Sequence, residues 1–204
     1  MISAVIFDLG GVVLGSPFGG FARLEGHLGL PEGTIADHIL SAGEDGAFFR
    51  LERGDLATAE FPAAFAAETR AAGTEIDGAL VLDAIGESTR PRRRMLEAVE
   101  AIEARGLRVG VITNNWRADD AAWDGLRDRF DVFVESHEVG LRKPDPRIYR
   151  LACDRLGVEP FDCVFLDDIG SNLKPARAMG MTTIKVDDPA DALAELSEVL
   201  GFEV

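Results

Sequence analysis

Acidic residues stand directly after two short apolar segments of the sequence. Asp8 follows the segment 2–7, and Asp167 and Asp168 follow the segment 163–166. Adjacent carboxylates repel one another unless they are solvated or bound to a cation. Clustered aspartates without histidine or cysteine favour a hard cation such as Mg²⁺, which commonly uses one or two carboxylates together with a substrate phosphate oxygen. These residues therefore predict metal-dependent phosphoryl chemistry.

Neutral and basic side chains are also candidates for this site. Thr113 and Asn114 follow the apolar segment 107–112, and Lys143 precedes Pro144 in a loop further along the chain. The formal net charge is -15, so a small anionic substrate would be repelled unless a local cation corrected the field. A lysine and a divalent ion would supply that correction, because phosphoryl transfer depends mainly on positioning and charge neutralisation.

The pattern of apolar segments predicts the elements that position these residues. Helical patterns alternate with short apolar runs that are typical of buried strands. The predicted strands cover residues 2–7, 107–112, 132–134, 163–166 and 182–186, and the core helices cover 92–105, 118–129, 147–156, 173–179 and 190–200. This alternation predicts an α/β fold with a parallel sheet of five or more strands, covered on both faces, whose ligands bind at the carboxyl ends of the strands.

One stretch interrupts the alternation. Residues 17–87 carry helical patterns rich in alanine, phenylalanine and leucine, without a convincing strand. We therefore expect a core domain of residues 1–16 and 88–204, with a helical cap of residues 17–87 inserted after the first strand. The segment 41–47 is the expected specificity loop, because its glycines interrupt two helical stretches.

The amino-acid composition disfavours some classes of binding partner. Hydrophobic residues make up 47% of the chain, as in an ordinary globular protein, and the acidic balance disfavours nucleic acid and anionic membranes. Two cysteines and three scattered histidines indicate neither a disulfide framework nor a zinc site. The amino terminus lacks a basic region and a long apolar segment, so we expect a cytoplasmic protein. The oligomeric state is left open.

Four segments together resemble the motifs of one enzyme superfamily. They are, in order, Phe7-Asp8-Leu9-Gly10-Gly11-Val12, Ile112-Thr113-Asn114, Lys143-Pro144 and Phe165-Leu166-Asp167-Asp168. They match the four motifs of the haloacid dehalogenase superfamily of hydrolases, which have a Rossmann-like three-layer core. The chain is particularly similar to the phosphatase domain of soluble epoxide hydrolases and to glucose-1-phosphatase-like members.

The resemblance implies a magnesium-dependent phosphatase that hydrolyses a small phosphorylated metabolite through an aspartyl phosphate. In that scheme Asp8 is the nucleophile and a metal ligand. The carbonyl oxygen of Gly10 and the carboxylate of Asp168 complete the protein's share of the metal site, and Asp167 and Asn172 support it.

The resemblance also assigns the groups that hold the transferring phosphoryl group. Thr113 and the backbone amide of Asn114 are expected to donate hydrogen bonds to its oxygens. Lys143 is expected to pair with both the Asp8 carboxylate and the phosphate.

Gly10 departs from the superfamily pattern, because most of its phosphatases carry a second aspartate at this position as general acid and base. Such assistance typically contributes roughly 10²- to 10⁴-fold to the rate. One hypothesis is a substrate with a good leaving group, such as a sugar 1-phosphate or an acyl phosphate. The other is proton donation by a cap residue, for which the candidates are His27, His38, Glu44 and Asp45.

Two other functions remain open from the sequence. A 2-haloacid-type dehalogenase also uses an aspartate nucleophile and tolerates Gly10, but it needs no metal and uses an arginine early in the cap, where residues 38–40 supply none. A catalytically weakened module that binds phosphate compounds or a partner protein is supported by the missing acid-base aspartate.

Overall fold

The centre of the protein is a parallel β-sheet. A computed structural model describes residues 1–117 and 124–204. In this part of the chain five strands form one sheet in the order β3-β2-β1-β4-β5, and all neighbouring strands are parallel. The strands are β1 (Ala4–Phe7), β2 (Arg108–Thr113), β3 (Val132–Glu135), β4 (Cys163–Asp167) and β5 (Thr182–Lys185). The predicted α/β fold with a parallel sheet is therefore confirmed, with strand ends shifted by at most two residues.

The strand register brings the candidate site residues to one edge of the sheet. Phe7 at the end of β1 is opposite Val111 in β2 and Leu166 in β4. The next residues, Asp8 and Asp167, therefore emerge side by side from the two central strands. Thr113 ends β2 on the other side of β1. The carboxyl ends of parallel strands lie at the same edge, so residues far apart in sequence converge there.

A group of helices lies between β1 and β2 in the chain. They are α1 (Pro17–Leu28), α2 (Thr34–Ala42), α3 (Ala47–Glu52), α4 (Phe61–Ala71) and α5 (Gly78–Ser88). We call them the helical insertion. They share a hydrophobic cluster of their own that includes Phe21, Ile35, Phe48, Phe61 and Phe65. The predicted helical content of this stretch is confirmed, whereas its status as a separate cap domain stays a prediction.

The remaining helices cover the sheet. They are α6 (Arg93–Ala104), α7 (Asp124–Arg127), α8 (Ser136–Val139), α9 (Pro146–Leu156), α10 (Gly170–Ala178) and α11 (Pro189–Leu200). Helix α7 covers part of the helix predicted over residues 118–129, of which residues 118–123 lie outside the described part of the chain. None of the helices in the described residues is both long and apolar enough to cross a membrane.

Alternating side chains give the sheet two buried faces. Val5 and Phe7 belong to a cluster that contains Met95 of α6, whereas Ile6 belongs to a second cluster that contains Ile148 of α9. Successive side chains of a strand point to opposite faces, so a strand whose residues are all buried must be covered on both sides. The result is the predicted three-layer arrangement of helices, sheet and helices.

Two backbone connections join the helical insertion to the core. On leaving β1 the chain makes a turn over Leu9–Val13, in which Gly10 and Gly11 have non-helical backbone angles. Leu14 then pairs with Pro91 in an antiparallel bridge, and Gly15 N donates to Arg90 O at 2.9 Å. The chain therefore enters and leaves the insertion at one place beside the carboxyl end of β1.

Candidate active site

Lys143 lies between two carboxylates at the centre of the site. Its Nζ atom is 2.6 Å from Asp8 Oδ1 and 2.7 Å from Asp167 Oδ2, and its side chain is 1% exposed. Burial alone would lower the pKa of a lysine, but the carboxylates of Asp167 and Asp8 outweigh that effect and raise the pKa of Lys143. The lysine therefore remains an ammonium ion.

Asp167 is held inside the protein by several donors. Its Oδ1 atom accepts hydrogen bonds from Ile169 N at 2.8 Å and Asn172 Nδ2 at 3.0 Å, while Oδ2 accepts from Lys143. The hydroxyl of Tyr149 donates to the carbonyl oxygen of Asn172 at 2.7 Å. Asp167 is fully buried, and its carboxylate contacts the ammonium group of Lys143 at 2.7 Å. The supporting role expected for Asp167 and Asn172 stays a prediction.

The nucleophile candidate Asp8 is 6% exposed, and its Oδ1 accepts a hydrogen bond from Leu9 N at 2.7 Å. Burial raises the pKa of Asp8 to about 8, with a further contribution from the negative charges of Asp167 and Asp168, against the opposing effect of Lys143. Concentrated negative charge in a buried site favours either protons or a metal ion.

The acidic cluster fits a hard divalent cation. Carboxylate oxygens of Asp8, Asp167 and Asp168 all lie within 4.8 Å of one another. The buried Oδ1 atom of Asp168 accepts no hydrogen bond from the described residues. Burial, together with the charge of Asp167, raises the pKa of Asp168 to about 6, against the opposing effect of Lys143. An unpartnered buried oxygen beside other carboxylates is the donor set that Mg²⁺ prefers.

We expect the affinity for Mg²⁺ to increase between about pH 6 and pH 8. Metal binding needs the carboxylates of Asp8 and Asp168 deprotonated, and their pKa values of about 8 and about 6 place that change in this window. Because both pKa values are raised by folding, the metal-free protein should lose stability as pH rises from about 4 to 8. Thermal unfolding with EDTA and with Mg²⁺ measures both effects; a stabilisation by Mg²⁺ that is equal at pH 5.5 and pH 8 would contradict this linkage.

The turn after Asp8 fits closely against Asp168. Gly11 has a φ of 83°, and a Cβ atom at this position would lie 2.0 Å from Asp168 Oδ2. Arg92 donates hydrogen bonds from Nη1 to the carbonyl oxygens of Gly11 and Val12, the second at 3.2 Å. The sequence motifs did not indicate Arg92, since it belongs to the return segment after the helical insertion. It is adjacent to the turn only in the folded chain.

Gly11→Ala should weaken Mg²⁺ binding, because the methyl group would displace the Asp168 carboxylate and the left-handed backbone disfavours alanine. We expect a loss of at least about tenfold in metal affinity, by analogy with changes to groups that orient metal ligands. Titration calorimetry measures the affinity. Gly26→Ala is the matched control, since a Cβ there meets no atom within 4 Å. Unchanged metal affinity in Gly11→Ala would show that Asp168 is not a ligand.

Asn114 holds the backbone of the Lys143 loop. Its Nδ2 donates to Lys143 O at 3.0 Å, and Lys143 N donates to its Oδ1 at 2.8 Å. The Lys143-Pro144 peptide bond is cis. Sequence reasoning assigned Asn114 a role through its backbone amide, which stays a prediction; the side-chain contacts were not anticipated. Thr113 is 4% exposed and lines the same cavity as Asp8 and Lys143.

A cavity of about 920 Å³ extends from these residues toward the helical insertion. Its polar end includes Asp8, Gly10, Thr113, Lys143, Asp168 and Asn172. The remaining wall is largely apolar and includes Phe18, Phe21, Ile39, Phe48, Leu82, Ile85 and Trp116. The predicted site residues other than the fully buried Asp167 therefore face a space large enough for a phosphate with an organic group attached.

Of the four proposed proton donors, Glu44 is among the residues that line this cavity, and His27, His38 and Asp45 are not. His38 lines a different crevice, with its Nε2 atom 2.8 Å from Glu68 Oε1. The segment 41–47 forms the end of α2, a 3₁₀ turn over Gly43–Asp45 and the start of α3, and it reaches the cavity through Glu44.

Comparison with known proteins identifies the family. The sequence model of the haloacid dehalogenase-like hydrolases matches residues 2–180. The chain belongs to this family. It is 37% identical to mouse (Mus musculus) acyl-CoA dehydrogenase family member 10 over 204 residues, which cover 98% of the chain and 19% of that protein. It is 34% identical to pig (Sus scrofa) bifunctional epoxide hydrolase 2 over 220 residues, which cover the whole chain and 40% of that protein. The chain thus spans less than half the length of either relative.

Solved structures of haloacid dehalogenase-like proteins share the fold. An enzyme of the family from Bacteroides thetaiotaomicron, crystallised with magnesium and inorganic phosphate, has a TM-score of 0.64 and 20% identity, and the match covers 91% of the chain and 94% of that structure. At this identity the likeness concerns the fold. The chain is a hydrolase of the haloacid dehalogenase-like family with the corresponding α/β core.

Gly10, where the resemblance led us to expect an aspartate, has open surroundings. A Cβ atom on Gly10 would have Pro17 Cδ as its nearest neighbour, at an ordinary contact distance of 3.6 Å, and the φ of Gly10 is -65°. No backbone constraint at this position therefore requires glycine. The missing carboxylate is a property of the sequence and not a steric consequence of the fold.

Proposed function

We propose that the protein is a magnesium-dependent phosphatase that hydrolyses a small phosphomonoester through a phosphorylated Asp8. The observation that carries this proposal is the contact of the Lys143 ammonium with Asp8 at 2.6 Å, beside the unpartnered Asp168 oxygen. The two features supply a nucleophile, a fixed positive charge and a free metal ligand at one end of the cavity. Asp8, Asp168 and the carbonyl oxygen of Gly10 would hold Mg²⁺, which neutralises phosphate charge when bound.

The reaction follows from the residues at the polar end of the cavity. A carboxylate oxygen of Asp8 attacks phosphorus, an O–P bond forms, and the P–O bond to the substrate alcohol breaks. Lys143 and Thr113 stabilise the negative charge on the phosphoryl oxygens. The alkoxide that leaves takes its proton from the solvent, because Gly10 has no side chain to supply one. Water then hydrolyses the acyl phosphate, releasing inorganic phosphate and restoring the Asp8 carboxylate.

The cavity wall favours a substrate whose alcohol portion is apolar. Phe18, Leu40 and Ile169 line the cavity and are exposed by 46%, 69% and 39%, so apolar surface extends from the interior to the solvent. An organic group along this wall would bury apolar area at roughly 25 cal/mol per Å². A bare sugar would leave hydroxyl groups against phenyl rings, so an apolar ester is favoured over the sugar 1-phosphate expected from the sequence.

The dehalogenase alternative accounts less well for the buried acidic groups. A metal-free reaction would leave the Asp168 oxygen without a partner among the described residues, and an unsatisfied buried polar atom is costly. A binding module without catalysis would have no use for Asp8 at 2.6 Å from a buried ammonium group. Both alternatives predict no magnesium-dependent turnover of phosphoesters.

A substrate comparison tests the proposal. We expect the protein to hydrolyse p-nitrophenyl phosphate with Mg²⁺ and to lose this activity in EDTA. Hexyl phosphate and glucose 6-phosphate, two unactivated esters of primary alcohols, then separate apolar from sugar substrates; the first should have the higher kcat/KM. Release of chloride from 2-chloropropionate without phosphatase activity would establish the dehalogenase instead. Inactivity toward every ester would favour the binding module.

Gly10→Asp should restore part of the missing proton transfer. The new carboxyl group would extend into the cavity from a position with room for it. We expect hexyl phosphate hydrolysis to increase roughly tenfold or more, below the full contribution of a positioned acid, while p-nitrophenyl phosphate changes little. The kcat values of both esters measure the effect. Gly10→Asn is the matched control, and an equal change for both esters would contradict the assignment.

A further inference from the structure

Glu52 lies where the helical insertion meets the core. It is the last residue of α3 and contacts two separate core segments. Its Oε2 atom accepts a hydrogen bond from Arg142 Nε at 2.9 Å, and its carbonyl oxygen accepts one from Ser136 Oγ at 2.5 Å. The side chains of Glu52 and Arg142 are 9% and 11% exposed. The ion pair is thus largely withdrawn from solvent.

Arg142 connects this contact to the catalytic lysine. It precedes Lys143 directly in the chain, and its guanidinium carbon lies 3.6 Å from the ring centre of Phe49, also in α3. The backbone of Lys143 is held by Asn114 of the core through two hydrogen bonds. The segment 142–143 is therefore fixed by the helical insertion at one residue and by the core at the next.

The chemistry of the Glu52–Arg142 ion pair suggests that it positions neighbouring groups. Burial raises the pKa of Glu52, while Arg142 opposes that change, so the carboxylate is charged only at some cost. A buried ion pair generally stabilises a protein no better than well-packed apolar side chains would. An apolar pair would not reproduce the planar, directional contacts of an ion pair between arginine and glutamate.

We propose that Glu52 is a positioning residue that acts through Arg142 to hold the segment carrying Lys143, so that the helical insertion helps to place the phosphate-pairing ammonium group. The inference rests on the proposed phosphatase function. A displacement of Lys143 by a fraction of an ångström would weaken its contacts with the transferring phosphoryl group more than it weakens substrate binding, so kcat should fall more than KM rises.

A set of three variants tests the inference: Glu52→Met, Arg142→Met and the double variant. Arg142→Met leaves the buried Glu52 carboxylate without its arginine, and Glu52→Met leaves Arg142 only the exposed Glu44 at 3.3 Å, so each single variant should lower the Tm. The double variant removes both charges and should regain most of the lost Tm. Its kcat should nevertheless remain roughly 10- to 100-fold below wild type with little change in KM, because the directional contacts are still missing. The same pair of substitutions at Glu100 and Arg129, an exposed surface pair at 2.6 Å, is the matched control and should not change kcat.

Recovery of both Tm and kcat in the double variant would overturn the inference, since the pair would then only balance buried charge. Hydrogen exchange of residues 140–145 gives a readout that is independent of turnover. Faster exchange in the double variant than in wild type supports the positioning role, and unchanged exchange contradicts it. Should wild type hydrolyse no phosphoester, the proposed function fails, but the exchange comparison still decides whether Glu52 holds this segment.

Discussion

Asp8→Asn is expected to reduce phosphatase activity by at least roughly 10⁴-fold, the scale of loss seen when a covalent nucleophile is removed. Asparagine has nearly the same shape but provides no carboxylate to attack phosphorus. The Lys143 ammonium would lose one of its two partners and keep Asp167 at 2.7 Å. The measurements are kcat with p-nitrophenyl phosphate and the phosphate labelling of the protein by a substrate.

The fold should survive this substitution. Because folding raises the pKa of Asp8, its charge is unfavourable in the metal-free protein near pH 8, and its removal should leave the Tm in EDTA unchanged or higher. Asp187→Asn is the matched control, since Asp187 is 75% exposed and pairs with Lys185 at 2.7 Å on the surface. Turnover in Asp8→Asn within tenfold of wild type would exclude Asp8 as the nucleophile.

Lys143→Met should have the second large effect, on both activity and stability. Two buried carboxylates, those of Asp8 and Asp167, would lose their ammonium partner, and removing one member of a buried pair costs about 3 to 5 kcal/mol. The cost should be smaller at pH 6 than at pH 8, because Asp8 becomes protonated below its pKa of about 8. We expect kcat to fall by roughly 10² to 10³-fold or more, as for other groups that stabilise transition-state charge.

Chemical denaturation at the two pH values and steady-state kinetics measure these effects. Mg²⁺ should restore part of the lost stability by supplying positive charge to the same carboxylates. Lys185→Met is the matched control, because Lys185 is half exposed and its ion pair with Asp187 should contribute less than about 1 kcal/mol. A stability loss in Lys143→Met that is independent of pH would contradict coupling between the lysine and a titrating Asp8.

The position of the candidate active site was predicted from local sequence patterns. Short apolar runs ending in polar residues predict parallel strands, and parallel strands bring their carboxyl ends to one edge. Asp8, Lys143 and Asp167 could therefore be grouped although Asp8 is more than a hundred residues from the other two. The structure places them in direct contact, with distances of 2.6 and 2.7 Å to the lysine.

Contacts between segments that are distant in sequence could not be predicted from local sequence patterns. Arg92 supports the turn at Gly11, and Arg142 pairs with Glu52 across the boundary of the helical insertion. Arginine and glutamate are common on solvated helix surfaces, so their types alone do not distinguish a buried partner from an exposed one. The choice among candidate proton donors was open for the same reason, and the fold separated His38 from the cavity by pairing it with Glu68.

By itself, the sequence determined the parallel α/β core, the interruption between β1 and β2, and the residue types at the strand ends, because periodicity and strand polarity are local properties of the chain. The tertiary structure decided which carboxylates contact Lys143, which oxygen of Asp168 has no hydrogen-bond partner among the described residues, and how apolar the cavity is. These depend on distances and burial between segments far apart in sequence, and no local pattern encodes them.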